Sequence, residues 1–467
     1  MYSRQNNSNA SSPEEIACTN TRSTWDIFWS CLVTIIACSW VSVHPNILAP
    51  DEGRQRKVLQ QLELTFWSII SPEVIIYWAA SQWFGAHRIV SKFSKYSWTT
   101  THGYFIQMGG FILYDGDNEV GVLLPDKLWD LLQEGKVEMP DTTENEIKDR
   151  SKGDGFSKGF VIVQTTWFVI QCLARRVRGL TITQLELVTL AYATLNVVMY
   201  TFWWIKPLDV ETTVRVDLLQ PTIVKARIST EIRETDAVNK HYSNTSLPEV
   251  PPCSYPNGQA RPYGSFDQIN YSHLFHRARH FVSGTLFRWP VLELISFVHG
   301  MGDATGNDNT KVDSEKRIRL NTFYAYNPNL ACGPTPCAAK TLTRARLNLF
   351  VLLPVVGIVF GAIHCCGWYF SSPSIIEGEI WRVSSAVITG IPAIGLLGIL
   401  LTILQQHSPI NFVQLWHGRL IAILIHLMLP FYGVARLALL VEAFISLREL
   451  PQTALEVVEW TSFIPHV

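Results

Sequence analysis

Charged side chains are scarce in this chain. Acidic and basic residues make up 16% of its 467 residues, against roughly 25% in ordinary soluble domains. Several windows of about 20 residues hold almost no charge, as membrane-spanning helices require. Hydrophobic residues make up 48%, and 16 Trp and 15 Tyr suit a protein with two water–lipid boundaries. This composition predicts an integral membrane protein with the lipid bilayer as a partner.

Other features are missing as well. The formal net charge is −1, so no basic excess indicates a nucleic-acid partner. The segment DRSKGD at 149–154 lacks the glycine spacing of a P-loop, which disfavours a pump. No repeat relates the two halves of the chain, which disfavours an inverted-repeat transporter. No signal peptide precedes the first apolar run, although that run suits a signal anchor. No cofactor is indicated.

The apolar windows predict an all-α fold, a polytopic helical membrane protein with about seven transmembrane helices and two large polar loops. The predicted spans cover residues 25–43, 64–86, 159–174, 185–205, 347–370, 383–404 and 420–447. They divide the chain into a polar, disordered N-terminus (1–24), two spans (25–86), a polar loop (87–158), two spans (159–205), a partly flexible loop (206–346), three spans (347–447) and a C-terminal tail (448–467).

The first polar loop contains the segment PDKLWDLLQEG at 125–135. Leu128, Leu131 and Leu132 recur at helical spacing, which predicts a short amphipathic helix at about 126–134. Its leucine face is expected to lie on lipid or on the spans.

Basic residues suggest an orientation. Seven spans place the loops at 44–63 and 175–184 on one side of the membrane. These loops carry Arg54, Arg56, Lys57, Arg175, Arg176 and Arg178. The positive-inside rule puts short basic loops in the cytoplasm, so the N-terminus and both large loops are predicted to be non-cytoplasmic.

A non-cytoplasmic location permits covalent modification of the polar regions. The candidate glycosylation sites are Asn6, Asn9, Asn244 and Asn270. Cys332 and Cys337, in CGPTPC, are candidates for a disulfide.

One histidine cluster resembles a metal-binding pattern. YSHLFHRARHF at 271–281 places His273, His276 and His280 on one face of a helix, and the last two have the spacing of helical zinc ligands. A solvated or interfacial face, which the neighbouring arginines favour, is the preferred alternative.

The second predicted span contains FWSIISPEVIIYWAASQWF at 66–84, with Pro72 and Glu73 at its centre. About 14 Å of helix separates Glu73 from Leu64, which puts the carboxyl near mid-bilayer, where a lipid-facing charge is unfavourable. We therefore expect Glu73 to point into the bundle and Pro72 to kink the helix. A ligand or proton site and a structural hydrogen bond both remain open.

Other polar residues in predicted spans are candidates to meet Glu73. They are Asn196, His364, His426, Arg436 and Glu442. Arg436 is the preferred partner, because an ion pair would ease the cost of burying each charge.

The segment WWIKPLDV at 203–210 predicts a membrane boundary. Trp203 and Trp204 are expected at headgroup level, Lys206 is expected to extend its ammonium to water, and Pro207 ends the helix.

Several segments together resemble a large group of uncharacterised multi-pass membrane proteins of filamentous fungi. They are SPE at 71–73, WTTTHGYFIQMGGF at 98–111, DRSKGD, the run from 175 to 210 that ends in WWIKPLDV, ARLALLVEAFISLRELP at 435–451 and WTSFIPHV at 460–467. The resemblance implies a fungal source and a helical membrane fold. It carries no assigned reaction and no catalytic residue, and only suggests a link to secondary metabolism.

Two classes of function fit these features. The preferred one is a membrane-embedded enzyme or accessory protein that acts on a lipophilic small molecule, with Glu73 as acid or base. The alternative is a transporter, channel or seven-span receptor. Large non-cytoplasmic loops, without a long cytoplasmic effector loop, disfavour a receptor.

Overall fold

The computed structural model describes residues 21–48, 53–151, 154–219, 320, 323–326, 336–370, 372–405, 428 and 430–458. Most of these residues are helical. The helices are α1 (Thr24–Ile36, continued by a π-helical turn at Ala37–Val41), α2 (Arg54–Ile70), α3 (Pro72–Lys92), α4 (Thr100–Gln107), α5 (Pro125–Gln133), α6 (Glu144–Asp149), α7 (Asp154–Val177), α8 (Gln184–Trp203), α9 (Pro336–Cys365), α10 (Ile375–Gln405), α11 (Pro430–Arg448, ending in a 3-10 turn) and the short α12 (Gln452–Leu455).

Five helices in the described part of the chain are long and apolar enough to cross a membrane. They lie at Thr24–Val41, Gly155–Val177, Gln184–Trp203, Ile375–Leu401 and Pro430–Arg448. They correspond to the first, third, fourth, sixth and seventh predicted spans and fit a multi-pass membrane protein. The fifth predicted span corresponds to α9, whose shorter apolar part is Val351–Cys365.

The second predicted span is not one helix. The backbone breaks at Ser71 (φ −145°, ψ 68°), and Pro72 begins α3, where its missing amide hydrogen costs nothing. Lys57, near the start of α2, forms an ion pair with Asp209 at 2.6 Å, just beyond the end of α8. Trp203, the last residue of α8, donates from Nε1 to Gln82 of α3 at 3.0 Å.

Helices α2 and α3 therefore form a hairpin whose outer ends both lie at the C-terminal end of α8. Its tip at Ser71 lies part-way along α8, because the Tyr192 hydroxyl donates to the Ile69 carbonyl at 2.5 Å. The predicted kink at Pro72 is instead a complete reversal of the chain direction. A continuous span over 64–86 is wrong, because both ends of this hairpin reach the same end of the bundle.

The two ends of the described chain meet. The Arg22 amide donates to the Leu455 carbonyl at 2.7 Å, and Thr21 pairs with Glu456 in an isolated β-bridge. Arg175, at the end of α7, donates to the carbonyls of Thr453, Ala454 and Glu456 at 2.7–3.0 Å. Seven crossings would put Arg22 and Leu455 on opposite sides of a membrane, so the predicted count of seven spans is not confirmed.

The basis of the predicted orientation also fails. Lys57 lies at the end of the bundle where α8 ends, whereas Arg175 lies at the end where α8 begins. These two basic regions were expected to share a side. In addition, the Arg175 guanidinium is buried and bonded to carbonyl groups, so it is not a free surface charge.

A small sheet corrects the all-α prediction. Strands β1 (Phe111–Asp115), β2 (Asn118–Val122) and β3 (Val214–Asp217) form it in the order β2-β1-β3. β1 and β2 are an antiparallel hairpin, and β3 pairs parallel to β1, with Phe111 opposite Val214. The polar residues of 87–151 and 206–219 are thus folded together rather than forming separate loops.

The short amphipathic helix predicted at about 126–134 is present as α5. Leu128 and Leu131 are buried, and they pack in a second hydrophobic core with Phe111 of β1, Ile147 of α6 and Trp98. The leucine face therefore packs on this sheet-containing region instead of on lipid. We refer to residues 93–151 and 206–219 as the sheet region.

Several predicted features lie outside the described residues. These are the glycosylation candidates Asn6, Asn9, Asn244 and Asn270, the histidines His273, His276, His280 and His426, and Cys332 of the proposed disulfide with Cys337. They stay predictions. Of the cysteines in the predicted spans, Cys31, Cys38 and Cys172 are buried, whereas Cys366 is exposed.

Candidate functional site

Glu73 lies inside the helical bundle and meets Arg436, its preferred partner. The Arg436 guanidinium donates through Nη1 to Glu73 Oε1. The Tyr432 hydroxyl, one turn earlier on α11, donates to the same oxygen at 2.6 Å. Both charged side chains are buried, with 6% and 3% of their side-chain surface exposed. A carboxylate and a guanidinium are thus paired where neither reaches water.

The position of Glu73 in its helix explains why an acid is tolerated there. Glu73 is the second residue of α3, so it lies at a helix N-terminus inside the bundle, where unpaired amide groups favour negative charge. Arg436 gains a further contact, because its guanidinium carbon lies 4.0 Å from the Phe360 ring centroid of α9. The cluster of Glu73, Tyr432, Arg436 and Phe360 therefore joins the hairpin tip to α9 and α11.

The remaining candidates from the sequence are distributed over the bundle. His364 is buried on α9, where Nδ1 lies 2.8 Å from the Phe360 carbonyl and the ring packs against Trp381 of α10. Glu442 is buried on α11, and its Oε1 has no hydrogen-bond partner among the described residues. Neither side chain has a direct hydrogen bond to Glu73 within that set.

Lys206 is fully buried, which contradicts its predicted position at the lipid headgroups. Its ammonium donates to the His44 carbonyl, to Gln82 Oε1 at 2.8 Å and to Asn46 Oδ1 at 3.4 Å. It lies 4.9 Å from the Trp78 ring centroid and 5.0 Å from that of Trp203. Of the two adjacent tryptophans, only Trp204 is exposed, and Trp203 points inward.

The surroundings of Lys206 act on its charge in two directions. Burial lowers the pKa of Lys206 well below its ordinary value. The three oxygens and the two ring faces act the other way, because each stabilises an ammonium. Burial and then the charges of Lys158 and Lys206 lower the pKa of His44 well below 6.5, so His44 is neutral near pH 7.

This Lys206 cluster was missed by the sequence analysis. Its members come from four separate segments, and neither His44, Asn46 nor Gln82 lies in a recognisable motif. The Tyr324 carbonyl completes it, accepting from Trp78 Nε1 at 3.2 Å and from Gln82 Nε2 at 2.9 Å. The Lys206 cluster lies between the bundle and the sheet region, which indicates that its hydrogen bonds connect the two.

A lateral cleft of about 510 Å³ lies between α7 and α8. Trp83 of α3 and the exposed Trp204 line it beside apolar residues of both helices. Its other lining residues are Ile162, Thr165, Thr166, Asn196, Val197, Tyr200, Thr201, Phe202 and Ile205. Ile162 and Val197 are exposed residues of candidate spans, so the cleft opens on a surface that would face lipid. Its size is typical of a site for one drug-sized molecule.

Asn196 is the most deeply buried polar residue among those that line this cleft. Only 3% of the residue is exposed, and its Oδ1 has no hydrogen-bond partner among the described residues. It also borders a second cavity of about 10 Å³, close to the room that one water needs, beside Ser39 and Ser68. Asn196, predicted as an intramembrane polar residue, is therefore separate from Glu73 and belongs to the cleft.

No group of three or more His, Cys, Asp or Glu side chains suitable for a metal ion occurs in the described ranges. The sequence profile of DUF8562, a family of unknown function, matches residues 2–248 and 341–467. No curated protein and no solved structure matches the chain.

Proposed function

The chain belongs to this family of unknown function, and from its geometry we propose that it is a multi-pass membrane protein that binds a lipophilic small molecule in the lateral cleft. In this proposal it acts on that molecule as a membrane-embedded enzyme or serves as an accessory to one. A fungal source and a role in secondary metabolism stay predictions from the sequence resemblance.

The cleft is the observation that carries the proposal. It combines drug-sized volume, mostly apolar walls and one deeply buried amide, the usual composition of a small-molecule site. Its opening on the apolar outer surface favours a ligand that arrives from the bilayer. Trp83 and Trp204 line the part nearest the sheet region, where an amphipathic ring suits the membrane boundary.

Glu73 has a different role in this proposal. Its Oε1 is already bonded to Arg436 and Tyr432, and Glu73 does not line the cleft. We therefore assign Glu73 to holding the α2–α3 hairpin in the bundle rather than to acid or base catalysis.

The number of crossings is part of the proposal. The contact between Arg22 and Leu455 supports an even number. Six spans meet this requirement: the five candidate spans together with α9, while the α2–α3 hairpin enters and leaves on the side of the sheet region.

Filling the cleft tests the proposal. The variant Thr166→Trp places a large ring in the cleft, and Val163→Trp is the matched control, because Val163 is an exposed residue of the same helix outside the cleft. Mass spectrometry of lipophilic compounds that co-purify with each full-length protein is the measurement. We expect a compound bound by wild type and by the control to be depleted about tenfold in Thr166→Trp.

Identical compounds at identical levels in all three proteins would contradict the proposal. The class of activity is tested separately by comparing metabolites of the source organism with and without the gene. Loss or accumulation of a lipophilic compound supports an enzyme or its accessory. Unchanged metabolites with altered uptake or efflux would support the transporter alternative instead.

A further inference from the structure

The amide of Asn196 specifies what kind of group the cleft accepts. It lies on α8, which rises about 1.5 Å per residue, so about 10 Å of helix separates it from Trp203 at the end of the span. A side chain at that depth has no bulk water to bond. Burying an amide without a partner is unfavourable by several kcal/mol in hydrocarbon, so a bound partner would stabilise it strongly.

The chain offers no alternative partner for this amide among the described residues. Thr201, which also lines the cleft, donates to the Val198 carbonyl of its own helix at 2.6 Å. Thr165 contacts the Cys38 sulfur at 3.8 Å across the bundle. The Asn196 carbonyl oxygen therefore keeps a hydrogen-bonding capacity that no described residue uses.

We propose that the ligand of the cleft is a lipophilic alcohol, whose hydroxyl binds Asn196 at the deep end of the cleft while its apolar body lies between α7 and α8. A hydroxyl both donates and accepts, so one group serves the carbonyl and the amino end of the carboxamide. A ketone or an ether only accepts, and it would leave the Asn196 carbonyl oxygen without a donor. This inference rests on the proposed function and narrows its ligand class.

The test compares two photoreactive probes on the purified full-length protein: a long-chain alcohol that carries a diazirine, and its methyl ether. We expect the alcohol to label peptides from 154–203, and unlabelled alcohol to compete about tenfold better than unlabelled ether. Tenfold corresponds to about 1.4 kcal/mol, the size of one hydrogen bond. This comparison in wild type needs no variant and is decisive even if substitutions at Asn196 disturb folding.

Two variants then identify the residue. In Asn196→Leu, the unlabelled alcohol should compete with the probe no better than the unlabelled ether does. Thr194→Val, which removes a polar group from the same helix outside the cleft, should retain the tenfold preference, because the Thr194 hydroxyl is bonded to the Leu190 carbonyl of its own helix.

The outcomes separate this inference from the proposed function. Equal competition by alcohol and ether, with labelling still in the cleft, would overturn the proposal that the ligand is an alcohol. A water in the adjoining cavity would then be the partner of Asn196. A preference that survives in Asn196→Leu would also overturn it. Absence of labelling in the cleft by either probe would instead contradict the proposed function.

Discussion

At the scale of single residues, Glu73 shows how a charge is accommodated in the bundle. Three features act on it together: the N-terminus of α3, the Tyr432 hydroxyl and the Arg436 guanidinium. Arg436 in turn needs Glu73, because a buried guanidinium without an anion is far less stable than a paired one. The two residues should therefore behave as one unit when either is changed.

A double-mutant cycle tests this interdependence. We expect Glu73→Gln and Arg436→Met each to lower the free energy of unfolding by about 3 to 5 kcal/mol, because each leaves an uncompensated buried group. The double variant should lose much less than the sum, because neither charge remains. Unfolding in mixed micelles, followed by fluorescence, is the measurement.

The control is Arg448→Met on the same helix, which breaks a more exposed ion pair with Glu377 and should cost less than about 1 kcal/mol. Strictly additive losses for Glu73 and Arg436 would refute their coupling. A silent Glu73→Gln would also refute it, in favour of a simple hydrogen bond by a neutral carboxyl.

Lys206 illustrates how a basic side chain is buried. Oxygen atoms and ring faces surround its ammonium, and the oxygens come from the chain before α2 and from α3. Substitution of Lys206 would leave the His44 carbonyl without a replacement donor among the described residues. Gln82 Oε1 would retain Trp203 Nε1, and Asn46 Oδ1 would retain Gln82 Nε2.

At the scale of elements, the sheet region depends on the side chains of α5. Leu128 is fully buried and Leu131 is 4% exposed, both facing a core formed by the sheet and its neighbouring helices. Lys92 of α3 donates to Asp126 of α5 at 2.5 Å, which adds a polar attachment to the hairpin. The helix is thus fixed by an apolar face and one ion pair.

Changing Leu128 and Leu131 to Asp tests this packing. We expect the double change to lower stability by more than about 3 kcal/mol, because two carboxyl groups would be buried without partners. Limited proteolysis should then cut within 93–151. Gln133→Asp, on the exposed face of the same helix, is the control and should leave the protease pattern unchanged. Unchanged resistance in the Leu variant would show that this core is not needed for the fold of the segment.

At the scale of the whole molecule, the two ends of the described chain, at Arg22 and Leu455, lie at the opposite end of α8 from the sheet region. Arg22 bonds Glu186 in the first turn of α8 at 2.5 Å, whereas Asn46, Gln82 and Lys206 lie beyond its last turn. A helix of about 30 Å separates the two ends, which matches the hydrocarbon thickness of a bilayer. The bundle therefore has two distinct faces whatever its orientation in the cell.

Epitope tags test this arrangement without assuming which face is cytoplasmic. We expect tags before Met1 and after Val467 to respond identically to protease added outside sealed vesicles. A tag in the exposed turn at Gly116 and Asp117 of the β1–β2 hairpin should respond in the opposite way. Opposite responses of the two terminal tags would indicate an odd number of spans. Vesicles opened with detergent are the control for the accessibility of each tag.

The sequence by itself determined the apolar spans of α1, α7, α8, α10 and α11, and it indicated that Glu73 must point into the bundle, with Arg436 as its preferred partner. These conclusions follow from composition along a helix and from the free energy of a charge in hydrocarbon, which depend on local sequence alone. The amphipathic helix α5 was predictable for the same reason, since its leucines recur with the helical period.

Only the tertiary structure decided where the α2–α3 hairpin returns and that Arg22 and Leu455 meet. It also decided that Lys206 belongs to a buried cluster and that Asn196 lines a lateral cleft. Hydrophobicity measures how apolar a segment is, but not the direction in which the chain leaves it. An apolar segment with a break at Pro72 suits a kinked span as well as a hairpin. The parallel β3 and the partners of Lys206 depend on contacts between residues far apart in the chain, which no local pattern records.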